Sequence, residues 1–201
     1  MDSKKSEAEQ ALAKVNEVYT EFTSFYSLLL EKGIDETEYG KVFSEISHVF
    51  REIYITSKKN YDALLLNKGQ FEEGRLERDA FERSLARTEQ FIIGADFDIG
   101  LKVLPQLKRV EKELLQKQII DKVVEIEMPN QAKIEVKQEA KEILDLMANS
   151  EKMGSINQTK EYIGFGKRIV NLGQKVWKLT ETAMPTALPL LLRIFSSLQG
   201  C

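Results

Sequence analysis

The chain has one cysteine, Cys201, and one histidine, His48, in 201 residues. A single cysteine excludes an intramolecular disulfide, and one of each excludes zinc sites built from these two residue types. One histidine also forbids the paired Glu-x-x-His motifs of a bridged two-metal bundle. No uninterrupted run of 18 apolar residues occurs, so no ordinary membrane-spanning helix is expected. Residues 1–10 are polar and charged, so no secretory signal is read there. Cytoplasmic residence is the expectation, with peripheral membrane attachment as its variant.

Catalytic fingerprints are missing as well. There is no P-loop, no dinucleotide-binding glycine turn and no kinase signature. Gly164-Phe165-Gly166 imitates a fragment of such loops, but it lies inside a helical pattern with no strand before it. Asp96 and Asp98 could face a hard cation, yet the spacing of an EF-hand does not follow. Asp98 is better read as the N-cap of the next helix. His48 lies beside Val49 and Phe50, one residue off an apolar stripe, as a helix-surface side chain does. No cofactor, no metal and no enzymatic activity are expected.

What is present is a globular composition, 42% hydrophobic and 30% charged, with strong helical periodicity. Ala8, Ala11, Val15, Val18, Phe22, Phe25 and Leu29 recur in steps of three and four, which predicts a helix over 6–31. Ser6 and Glu9 suit a capping box, and Lys32-Gly33 suits its end. A second helix, 35–66, follows with Val42, Ile46, Val49 and Ile53 inward, widened by Phe43 and Phe50 and continued by Tyr61, Leu64 and Leu65. Asn67-Lys68-Gly69 reads as its stop. With so short a link the two helices are expected to form an antiparallel hairpin.

A third helix is read at 75–93, with Phe81, Leu85, Thr88 and Ile92 inward. The stretch Gly94 to Gly100 interrupts it. A fourth, 101–123, places Val103, Leu107, Val110 and Leu114 inward, and Pro105 argues for a start near residue 101. Residues 123–137 alternate apolar and charged around Pro129-Asn130, so either a short β-hairpin or a helix end and linker is open there. Beyond it a helix is read from 139 to about 148, with Ile143, Leu144 and Met147 apolar. Another runs from Ser155, in a capping box with Gln158, to about Ala183. Its inner stripe is Tyr162, Phe165, Ile169, Leu172, Val176 and Leu179, flanked by Ile163, Val170 and Trp177. A last short helix is expected at 187–198. The expected fold is an all-α, elongated bundle of six or seven helices: residues 1–125, a linker or hairpin at 126–138, and a basic amphipathic region at 139–201.

Charge divides along the chain. Residues 155–201 hold six bases and two acids, a net +4, while residues 1–154 hold 23 bases and 30 acids, a net −7; together they make the formal −3. The same tail carries the one Trp and the apolar run from Ala183 to Phe195. The candidate interaction surface is therefore Lys160, Lys167, Arg168, Lys175, Trp177, Lys178, Leu191, Leu192, Arg193 and Phe195. The expected function is a non-enzymatic interaction or assembly module that uses this surface on an acidic protein partner or on a second copy. The alternative is a membrane-perturbing effector whose C-terminal helices insert into anionic lipid. A competing structural account has the basic helices held by acidic helices of the same bundle.

A nucleic-acid accessory role stands third. On helix four Lys102, Lys108, Arg109, Lys112, Lys117 and Lys122 outnumber Glu111, Glu113 and Asp121, and Tyr162, Phe165 or Trp177 would stack bases if exposed. No nucleic-acid-binding motif accompanies them.

Overall fold

The computed structural model describes residues 7–125 and 128–183. Among them there are five helices and no strand. Helix α1 is Glu7–Glu31 and α2 is Glu38–Glu72. The third, α3, is continuous from residue 78 to residue 125. It is made of α-helical Arg78–Asp98, a π-helical segment Ile99–Val103, α-helical Leu104–Glu113, a second π segment Leu114–Ile120, and α-helical Asp121–Glu125. Then come α4, Asn130–Asn149, and α5, Ser155–Ala183. Ser6, with the first capping box, and the expected helix at 187–198 lie outside the described residues.

The α1–α2 hairpin forms as the periodicity predicts. Gly33 adopts φ 75°, a conformation costly for residues with a Cβ, and so closes the end of α1. Thr37 caps α2, so the helix starts a few residues after the expected 35: its hydroxyl oxygen accepts from the Gly40 N–H at 3.3 Å. Ring pairs then zip the helices together in antiparallel order, Tyr19 with Tyr54 at 4.8 Å, Phe22 with Phe50 at 5.3 Å and Phe25 with Phe43 at 5.9 Å. The buried face of α2 is rotated by about one residue from the expected stripe. Tyr39, Phe43, Ile46, Phe50, Ile53 and Leu64 are buried, Val42 and Val49 only partly, and Leu65 is exposed. The aromatic rings remove more apolar area from water than the valines, and they decide the orientation.

The expected stop at Asn67-Lys68-Gly69 is overrun by a turn. Asn67 and Ser84 hydrogen-bond between α2 and α3, and Phe71 stacks on Phe81 at 4.7 Å. The helix ends instead at Gly74, φ 70°, where the Gly74 N–H donates to Phe71 O and the Arg75 N–H to Gln70 O, a Schellman-type close.

The separate third and fourth helices are one. Residues 94–100 are helical, and Asp98 is no N-cap: it has helical dihedrals and pairs with Lys102 at 2.9 Å. Two causes are visible. Gly100 is selected for closeness rather than for a turn, because a Cβ there would run into the Ser155 side chain at the start of α5. Pro105 removes a backbone donor and crowds the carbonyl four residues earlier; the widened π segment just before it, with Val103 at φ −100°, ψ −57°, takes up that misfit without ending the helix.

The β-hairpin does not form, and α4 starts at Asn130 behind Pro129, nine residues before the expected 139. Its early turns bury Ala132, Val136 and Ala140. An isolated two-stranded ribbon would have left these apolar groups and its edges in water.

Helix α5 runs parallel to α1 and α3 and antiparallel to α4. Two contacts along each pair establish these directions: Lys160–Glu17 and Gly166–Phe25 with α1, Ile156–Asp96 and Tyr162–Lys108 with α3, Tyr162–Met147 and Lys175–Glu139 with α4. One core cluster extends from Val15 to Val176 and draws on all five helices; a smaller one, Ala8 and Leu64 with Leu12, Tyr61 and Leu85 against them, closes the far end of the hairpin. Val103, Leu107, Val110 and Leu114 are all buried, as is the α5 stripe from Tyr162 to Val176. Leu107→Ala should therefore cost about 2–5 kcal/mol, the cost of an unfilled core cavity. Leu66→Ala, at a site 63% exposed, should stay within about 0.5 kcal/mol. Urea unfolding followed by circular dichroism measures both.

Candidate interaction surface

Helix α5 owes its place to three contacts with α3 and α1. Its N-terminus is held by Asp96 of α3, whose Oδ1 accepts the Ile156 N–H at 2.9 Å. This long-range carboxylate satisfies a first-turn donor that has no partner within the helix. One turn further along α3, Gly100 lets the backbone lie against Ser155. In the middle, Gly166 is buried, and a Cβ at that position would overlap Phe25 Cζ and come within 2.7 Å of Glu111 Oε1.

Glu111 is 0% exposed, and neither of its carboxylate oxygens has a hydrogen-bond partner among the described residues. Burial alone pushes its carboxyl well above the usual carboxylate range. Nearby, burial also raises the Tyr162 phenol; a hydrogen bond with Ser150 opposes this and the Glu111 charge adds to it. The Tyr162 ring packs edge-on against Phe165 at 5.4 Å and carries the Lys108 ammonium 5.5 Å from its centroid. The sequence reading placed Glu111 among the surface charges of helix four. The missed signal is its register, four residues after Leu107 and three or four before Leu114 and Leu115, in the middle of a buried stripe.

The outer side of α5 is basic. Lys160 is half-buried and pairs with Glu17 of α1 at 2.5 Å. Lys167 is half-buried, and Arg168, Lys175 and Lys178 are exposed. Lys175 donates to Glu139 of α4 at 3.2 Å. A groove of about 470 Å³ between α5 and α4 is lined by Arg168 and Lys175 of α5 and by Glu135, Glu139, Glu142, Ile134 and Ile143 of α4. Ile134 is 61% exposed and Ile143 is buried, so Ile134 is the apolar side chain that the groove presents beside charges of both signs. The bundle thus brings together Lys160, Lys167, Arg168, Lys175 and Lys178 on one helix, and acidic residues of α1 and α4 meet part of that charge. Trp177 lies within α5, but its side chain falls outside the described residues, as do Leu191, Leu192, Arg193 and Phe195.

Other candidate chemistry is placed elsewhere. Asp96 and Asp98 are engaged with Ile156 and Lys102, and His48 lies on the exposed side of α2. Among the described residues no group of three or more His, Cys, Asp or Glu side chains is gathered to hold a metal ion, and no helix is long and apolar enough to cross a membrane. Tyr162 and Phe165 are buried, which removes them as base-stacking platforms. Comparison with protein-family models, with curated proteins and with solved structures finds no match to this chain.

The two glycines of Gly164-Phe165-Gly166 should respond oppositely to the same substitution. Gly166→Ala forces a methyl into Phe25 and Glu111 and should cost about 1–3 kcal/mol. Gly164 is exposed with nothing within 4 Å of a Cβ, so Gly164→Ala should gain about 0.5–1 kcal/mol from helix propensity. Thermal unfolding of the two variants beside the parent chain is the measurement.

Proposed function

We propose that the protein is a non-enzymatic helical assembly module that pairs through its α4–α5 face with a second copy of itself. The observation that carries this reading is the α4–α5 groove, which sets Arg168 and Lys175 of α5 beside Glu135, Glu139 and Glu142 of α4, with Ile134 exposed on the same face. A face with both signs side by side is complementary to its own two-fold copy, since the basic helix of one chain meets the acidic helix of the other. Within one chain the exposed Lys175–Glu139 pair contributes little, about 0–1 kcal/mol, so exchanging it for a pair between chains is nearly free of cost. Two neighbouring helices about 30 Å long and about 20 Å across offer roughly 600 Å² per copy. That lies at the lower edge of stable interfaces, so association should be weak, with a dissociation constant of roughly micromolar or above.

Insertion of the C-terminal helices into anionic lipid is the second reading. One observation favours it: α5 is seated over the buried carboxyl of Glu111, which supplies a point of release. The buried stripe of Phe165, Ile169 and Val176 would have to leave the core for lipid to be reached.

Charge reversal tests the assembly reading in a way that a general loss of solubility cannot mimic. The variant carrying Arg168→Glu and Lys175→Glu should be monomeric in sedimentation velocity, and so should the variant carrying Glu135→Lys, Glu139→Lys and Glu142→Lys. Mixed together, they should recover a dimer, with circular dichroism confirming that each is folded. A monomeric parent chain at high concentration, or no heterodimer on mixing, sinks the proposal. A parent that stays monomeric but binds an acidic helical peptide through Arg168 and Lys175 redirects it to an acidic protein partner.

A further inference from the structure

We propose that Glu111 makes the seating of α5 reversible: α5 stays closed over the carboxyl while it is neutral, and loss of the proton separates α5 from α1 and α3. This goes beyond the assembly reading and stands on different residues. The site is buried and closely packed. Around Glu111, α1 supplies Phe25, backed by Phe43 of α2, and α5 supplies Gly166 and Tyr162. The titratable group facing it from α5 is the Tyr162 phenol, whose proton a charge on Glu111 would hold more tightly. Helix α4 and the turn after it reach this shell through the Met147 carbonyl, which accepts from the Tyr162 hydroxyl at 3.5 Å, and through Ser150, both uncharged; Glu151 of the same turn acts on Tyr162 by charge alone. On α3 itself, Lys108 spends its charge on the face of the Tyr162 ring. Among the described residues no donor therefore reaches either carboxylate oxygen.

A neutral carboxyl can remain in such a shell at modest cost, whereas a bare carboxylate must reach water. The cheapest route lies across Gly166, where α5 meets Glu111 through backbone and not through an interlocking side chain. The α3 ladder is also π-helical on both sides of Glu111, at Ile99–Val103 and Leu114–Ile120, so the segment that carries the carboxyl is set between two locally widened turns. The release direction follows from proton linkage. The closed state holds a proton that the open state gives up near the ordinary glutamic range of about 4.3. Raising the pH above that value favours opening, and it does so until the closed-state carboxyl itself ionises. A helix freed in this way presents basic residues on one side and Phe165, Ile169 and Val176 on the other, the make-up of an interfacial helix.

Hydrogen–deuterium exchange of the full chain, corrected for the intrinsic pH dependence of amide exchange, tests this. As the pH is raised above the ordinary glutamic range, the opening constant of α5 should rise by up to about tenfold per pH unit. Protection of the α1–α2 hairpin should stay unchanged. Glu111→Gln and Glu111→Leu should each flatten the rise, the second also guarding against a variant that merely leaves a buried amide unsatisfied. The proposal is overturned if parental α5 shows no such rise, if hairpin and α5 lose protection in step, or if both variants keep the parental slope.

Discussion

The contact between Gly166, Phe25 and Glu111 is where the bundle is most constrained, because three helices converge there with no room for a Cβ. It is one of three points that position α5. Close approach at Gly166 sets the depth of the helix, Asp96 sets its starting point by accepting the Ile156 N–H, and Gly100 sets its angle by admitting Ser155. With those three points held, the stripe from Tyr162 to Val176 falls into the core between α1, α3 and α4, and the basic residues fall on the other side. The small residues here serve packing and not chain reversal, which is why two glycines in the middle of α-helical or π-helical segments stabilise the bundle despite their poor helix propensity.

The same seam leaves the bundle with a polar group it does not satisfy. Glu111 lies among Phe25, Gly166 and Tyr162 with both oxygens unpaired among the described residues, an arrangement that opposes folding once the carboxyl ionises. A leucine in its register would continue the stripe of Leu107, Leu114 and Leu115 without that cost. The two π segments bracket this residue. Local departures from the regular helix and a buried, unpaired acid thus coincide within one stretch of α3, while the α1–α2 hairpin is locked by its aromatic pairs.

Electrostatics acts around this seam more than through it. The chain's acidic body and basic tail are not two separate objects: α5 is laid parallel to α1 and antiparallel to α4, and Lys160 and Lys175 meet Glu17 and Glu139 across those boundaries. Such exposed pairs are individually weak, so they orient α5 more than they hold it. What they leave is a groove lined by bases of α5 and acids of α4, a charge pattern that neither half of the sequence has by itself.

Much of this was legible in the order of residues. Helical periodicity by itself determined the all-α class, the α1–α2 hairpin, the buried faces of α1 and α5, and the inward set Val103, Leu107, Val110 and Leu114, because apolar spacing at three and four is a local property that packing then uses. It also determined the basic character of α5. Only the tertiary structure decided that residues 94–100 are helix, since Gly100 and Asp96 answer to Ser155 and Ile156, almost 60 residues away. It likewise decided that α4 begins at Asn130, where burial of Ala132 and Val136 outweighs a strand-like alternation. And it decided that Glu111 is interior and that Arg168 and Lys175 lie beside acids of α4. The local code counts a charge on a helix as surface; whether a neighbouring helix covers it depends on contacts that no short window of sequence contains.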